Sequence, residues 1–171
     1  MHRANGIGRV LLVVFACWGM IPVNAGAQPR VGIRGSISHE PSMGWLGVHV
    51  QTQPSFPIVF RTTLEGGLGT EMGLSGDIDL ALRLLPSDRR LGPYVGVGVS
   101  AAVFSGPTRQ RPDVSYHVGG GYAVLVGVQH RRGFFSEFRT GVTGVDDVGR
   151  KLTFGYVFAG WTDRSRTTSP R

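Results

Sequence analysis

The chain has a single cysteine, Cys17, so no disulfide framework can hold its fold together. Long apolar runs are just as scarce. The one stretch of note, "VLLVVFACWGMI" (10–21), is too short for a transmembrane helix, which takes roughly 20 residues. Any insertion into a membrane must therefore be by strands. Lysine is nearly absent: Lys151 stands alone, and the other basic residues are arginines. Close-spaced metal ligands are missing as well. His39, His49, His117 and His130 are scattered, without the paired spacing of zinc motifs, and no metal is expected. The run "GGG" (119–121) carries no Lys-Ser/Thr and precedes no helix, so it is not a phosphate loop and no cofactor is expected.

What the N-terminal segment does have is an export layout. Arg3 and Arg9 flank the start of the apolar run, and "AGA" (25–27) fits a small-residue cleavage site, so 1–27 reads as a signal peptide. "VFAC" offers a rival, a lipoprotein processing site at Cys17, although Phe15 is unusually bulky for it. Cleavage before Gln28 leaves 144 of the 171 residues, enough for one domain. That mature chain keeps 16 of the 18 basic residues against 11 acidic ones, a net of +5. The arginines are dispersed and the chain is exported, so nucleic acid is not an expected partner.

From Val31 onward the pattern has period two. Eight alternating segments (31–38, 45–53, 57–68, 73–85, 92–105, 114–129, 133–143 and 150–161) are separated by breaks rich in Pro, Gly, Asp and Ser, such as "HEPSMG", "PSDRRLG" and "GPTRQRPD". No segment sustains a helical period. An even count of such strands predicts an all-β fold, an eight-stranded antiparallel up-and-down transmembrane β-barrel over 28–161, with a short basic tail over 162–171.

In a strand, residues i and i+2 share a face. "GDIDLALRLLP" (76–86) puts Ile78, Leu80, Leu82 and Leu84 on one side, and Asp77, Asp79, Ala81 and Arg83 on the other. The other strands divide in the same way. Alternation alone does not say which face is inside, because soluble lipocalin-like barrels alternate too. The polar face decides it. It is rich in glycine, with arginines and carboxylates near balance, which suits a crowded interior where each charge needs a partner. The leucines are expected to meet lipid. Arg34, Arg61, Glu65, Asp77, Asp79, Arg83, Glu137 and Arg139 are expected to form an ionic network in the lumen, in pairings the spacing leaves open. Aromatics such as Tyr122, Phe134, Tyr156, Phe158 and Trp161 lie near strand ends, where interfacial girdles sit.

"GPYVGVGVSAAVF" (93–105), "YHVGGGYAVLVGVQHRRGFFSEFRTG" (116–141) and "KLTFGYVFAGW" (151–161) give the chain a glycine–aromatic texture. In this it resembles the small outer-membrane barrels of the OmpA/OmpX-like group. The resemblance implies a monomer in the outer membrane of a Gram-negative bacterium, inserted by the barrel assembly machinery. It also implies tight periplasmic turns, positions that "PSDRRLG" and "HRRG" fit. Leu152, Phe154, Tyr156 and Phe158 match the alternation of a final-strand assembly signal, but "TDRSRTTSPR" continues past Trp161. No peptidoglycan-binding domain follows, so no cell-wall tether of that kind is expected.

Catalysis is not expected. Lipid-modifying barrels need a nucleophile, base and orienting acid within reach of one another. Here only "SISHE", with Ser36 and Ser38 beside His39, and "SYH", with Ser115 and His117, set Ser near His, and spacing identifies no acid. Arg109, Arg111 and Arg150 are candidate contacts to lipopolysaccharide phosphates, which suit the guanidinium fork; the plainer reading is solvated loop charge. The expected role is structural or surface-interaction. The alternatives are a narrow low-conductance pore, or a soluble secreted or periplasmic lipocalin-like barrel binding an apolar ligand.

Overall fold

The computed structural model describes residues 28–39, 42–53, 57–69, 71–85, 89–105, 116–142 and 148–158. The expected signal peptide with Cys17, Arg109, Arg111, Ser115, Trp161 and the tail over 162–171 lie outside these residues.

Eight strands run in chain order: β1 (Gln28–Ser38), β2 (Met43–Gln53), β3 (Ile58–Gly69), β4 (Met72–Arg83), β5 (Leu91–Ser105), β6 (Tyr116–His130), β7 (Phe134–Val142) and β8 (Val148–Val157). Each pairs antiparallel with its sequence neighbour, and β8 returns to β1, with Ile33 opposite Tyr156 and Ile37 opposite Leu152. The sheet is therefore a closed barrel in which every strand has a hydrogen-bonded neighbour on both sides, so no strand is left as an edge.

Boundaries differ from expectation where polarity or proline misleads. β1 starts at Gln28, three residues before Val31, because Pro29 and Arg30 pair with Thr52 and Gln51 of β2. β4 stops at Arg83, short of Leu85. There Arg83 N–H donates to Pro57 O and Leu84 N–H to Pro93 O. β8 ends at Val157. The β6–β7 turn is closed by Gly133 N–H donating to His130 O at 2.9 Å, with Gly133 at φ +105°. Only glycine enters that backbone region without strain.

The two faces separate as alternation predicts. Leu46 is 77% exposed and Leu80 50%, and Ile33, Val97, Val124 and Phe154 are also exposed on the outside. Asp79, Glu65 and His49 are fully enclosed within the barrel. Interior apolar side chains gather towards both ends. Met43, Trp45 and Phe104 cluster at the end carrying the β1–β2 and β3–β4 connections. Val59, Ala81, Tyr94 and Leu125 form a second cluster, towards the end where β1 begins and β8 finishes. Between these two layers lie the charges.

Candidate functional site

The barrel wall brings eight ionisable side chains into one chain of alternating sign. Lys151 of β8 pairs with Glu65 of β3, and Glu65 Oε1 lies 3.0 Å from Arg34 Nε of β1. Arg34 Nη2 reaches Glu137 Oε1 of β7 at 3.6 Å, and Glu137 pairs with Arg61 of β3. Arg61 Nη2 is 3.1 Å from Asp79 Oδ2 of β4, Asp79 pairs with Arg139 of β7, and Arg139 Nη1 ends the series on Asp77 Oδ1 at 3.2 Å. Four cations thus face four carboxylates, for zero formal net charge. Such balance is close to obligatory, because an unpaired ion here would cost several kcal/mol of lost hydration.

Neutral groups complete the coordination. Ser36 Oγ donates to Glu65 Oε1 at 3.0 Å, and Tyr94 Oη donates to Glu137 Oε2 at 2.9 Å. Arg34 donates to Thr63 Oγ1 at 3.2 Å and to Thr153 Oγ1 at 3.1 Å. Lys151 Nζ also lies 4.8 Å from the centre of the Trp45 ring, within range for a cation–π contact. His49 is enclosed beside the network, its ring edge-on to Phe135 at 5.3 Å.

Seven of the eight charges expected in the lumen meet in this chain. Arg83 does not. It sits half-buried at the end of β4, where Nη2 donates to Gln129 Oε1 at 2.9 Å. Parity puts it on the inward face, but it is the last residue of β4, opposite Tyr94 of β5, and its guanidinium turns to Gln129 rather than to a carboxylate. The place it leaves is taken by Lys151, which alternation sets on the inward side with Thr153 and Gly155. Sequence reasoning also missed Tyr94, although it lies in phase with inward Gly96 and Gly98. Ser36 and Ser38 turn inward as well, and Ser38 Oγ accepts a bond from Trp45 Nε1 at 3.0 Å. His39 is exposed on the adjoining turn, where its backbone N–H donates to Arg150 O at 3.0 Å. Of the "SYH" pair, Ser115 and the His117 side chain lie outside the described residues. Arg150 is exposed on the outward side of β8, near the connection from β7.

Among the described residues, the interior beneath the network is closely packed. Beneath Arg61, the side chains of Gln51, Arg83, Tyr94, Gln129 and Phe135 enclose a cavity of about 20 Å³, room for roughly one water. Glycines let the charges close in. A Cβ on Gly98 would fall on the Asp79 carboxylate and the Arg139 guanidinium. Gly98→Val should therefore force apart the Asp79–Arg139 pair, with a stability loss of about 1–3 kcal/mol. Urea unfolding of the refolded barrel measures it, and an unchanged midpoint would mean that Gly98 has room to spare.

The fold and its charged, closed interior define the class: an eight-stranded antiparallel up-and-down barrel enclosing a neutral ionic network. Among solved structures, the chain is similar to the N-terminal β-barrel domain of Pseudomonas aeruginosa OprF, with a TM-score of 0.57 at 14% identity, covering 77% of this chain and 99% of that one. At that identity the likeness is one of fold. No family model matches the chain, and no curated protein matches it.

Proposed function

We propose that the protein is an outer-membrane β-barrel of a Gram-negative bacterium, with a structural or surface-interaction role and a lumen closed by its ionic network. One observation carries this reading: the polarity of the barrel is inverted relative to a water-soluble one. Large apolar side chains stand exposed on every strand, among them Ile37, Leu46, Leu68, Leu80, Val97, Val124, Phe138 and Phe154, while the charges are enclosed. Exposed apolar surface on that scale needs an apolar medium. The enclosed charges also disfavour the lipocalin-like alternative, which would need an apolar interior cavity. The packing around Arg61 and Glu137 favours a plug over a narrow pore.

In this reading the end bearing the β2–β3, β4–β5 and β6–β7 connections faces the periplasm. Arg150 lies towards the opposite rim and would meet lipopolysaccharide phosphates there; Arg109 and Arg111, outside the described residues, are the other candidates for such contacts. The barrel works as a monomer, delivered by the barrel assembly machinery, and performs no catalysis. Fractionation tests the proposal. The protein is expected in the outer membrane after urea washing, with gel migration that shifts on boiling. Recovery in the soluble periplasm would overturn it.

A further inference from the structure

The outer wall carries a groove of about 890 Å³ lined by apolar side chains. Its floor follows one hydrogen-bonding row across five strands: Val128 opposite Ser136, Ser136 opposite Phe154, Phe154 opposite Gly35, and Gly35 opposite Leu46. The small residues Ser136 and Gly35 make the depression on either side of Phe154. Four strand spacings of roughly 4.8 Å give a length of about 19 Å, close to that of an extended fatty-acyl chain. The row is oblique. It starts near the β6–β7 turn, with Leu91 and His130 also lining the groove, and climbs to Leu46 near the opposite rim.

The lower mouth of this groove is basic. Arg90 precedes Leu91 and Arg131 follows His130, and Arg131 N–H donates to Arg90 O at 2.8 Å, which pins the two turns together. Arg132 N–H donates to His130 Nδ1 at 3.1 Å. Arg89, Arg90, Arg131 and Arg132 are all exposed. No carboxylate faces them among the described residues, since Glu65, Asp77, Asp79 and Glu137 are spent in the lumen and Glu71 lies at the other end. Exposed Leu84, Leu85 and Leu91 flank the arginines, so the patch is apolar towards the membrane and cationic at its edge. Arginine is suited to such a boundary, because its fork grips a phosphate while its stem stays in apolar surroundings.

We infer that this face holds one anionic glycerophospholipid of the periplasmic leaflet, its phosphate on the Arg90–Arg131–Arg132 turns and one acyl chain along the Ser136–Phe154–Gly35 groove. The inference rests on the membrane reading above. It predicts selectivity by headgroup charge and, separately, by groove shape.

The test is lipid retention by the refolded full barrel, read by native mass spectrometry from detergent with phosphatidylglycerol and phosphatidylcholine in competition. The native protein is expected to keep phosphatidylglycerol selectively. Replacing all three arginines (Arg90→Gln, Arg131→Gln, Arg132→Gln) should weaken retention on the order of 100-fold, three surface charges acting together. Ser136→Leu, which fills the groove and leaves the charges in place, should weaken retention of both lipids. Millimolar inorganic phosphate should not displace the lipid; displacement would mark a simple phosphate site and overturn the lipid assignment. Equal retention of the two lipids, or retention unchanged by the arginine replacements, would also overturn it. Each protein is checked for insertion into phosphatidylcholine vesicles by its heat-modifiable migration. Insertion without headgroup preference rejects the lipid site and leaves the membrane reading standing; failure of the native chain to insert anywhere rejects both.

Discussion

Leu80→Arg should deplete the protein from the urea-washed outer membrane, whereas Leu80→Val should leave it there. Leu80 lies mid-strand on β4, opposite Phe60 of β3 and Val97 of β5, and all three point outward. Its side chain is half exposed, with no neighbouring group to pair a charge. An arginine near the midplane of a transmembrane barrel costs about 2–4 kcal/mol. That is a large fraction of the stability of a domain this size, since folded proteins keep only about 5–15 kcal/mol. In a water-soluble barrel the same substitution would be harmless or would improve solubility. Outer-membrane levels of Leu80→Arg equal to the native protein would contradict the lipid-facing assignment.

Glu137→Ala should be the most damaging single change in the interior. Glu137 is 1% exposed and joins the two halves of the charge series, contacting Arg34, Arg61 and Tyr94. Its loss leaves two enclosed guanidinium groups short of a partner, a defect of about 3–5 kcal/mol. Glu137→Gln keeps an acceptor for Tyr94 and should fall between the two. Arg83→Ala should cost only about 1 kcal/mol, the scale of one partly exposed hydrogen bond. Urea unfolding in detergent ranks the three. The native barrel should be almost silent in planar bilayers, and Glu137→Ala should show leak currents. Steady conductance from the native protein would instead favour the narrow pore.

Much of this architecture is legible in the sequence because a strand has a single binary choice of face. Leu80 and Asp79 fall on opposite sides for any register, so period-two alternation assigns inside and outside without knowledge of the pairing. What alternation does not encode is height along the barrel axis. Arg83 has the right parity for the network and the wrong depth. Lys151 has both, but its partner Glu65 lies on β3, brought near across the lumen by closure of the barrel. The order of the pairs depends on strand stagger and on side-chain reach, neither of which the local pattern contains. The ends of β1 and β4 are obscure for a local reason: strand pairing carries Pro29 and Arg30 into the sheet, and β4 ends at Arg83 although Leu84 N–H still donates to Pro93 O of β5.

In the membrane reading proposed above, the leucine face of β4 meets lipid and its alternate face is sealed inside. Spin labels placed one at a time at residues 78, 80, 81 and 82 of the membrane-inserted protein test it most directly, in a chain with Cys17 removed so that each label is unique. The quantity measured is collision with oxygen, which partitions into lipid, against collision with a water-soluble nickel chelate. High oxygen and low nickel accessibility are expected at 78, 80 and 82, and low accessibility to both at 81. High nickel accessibility at 80 and 82 would place the leucines in water and contradict the membrane reading.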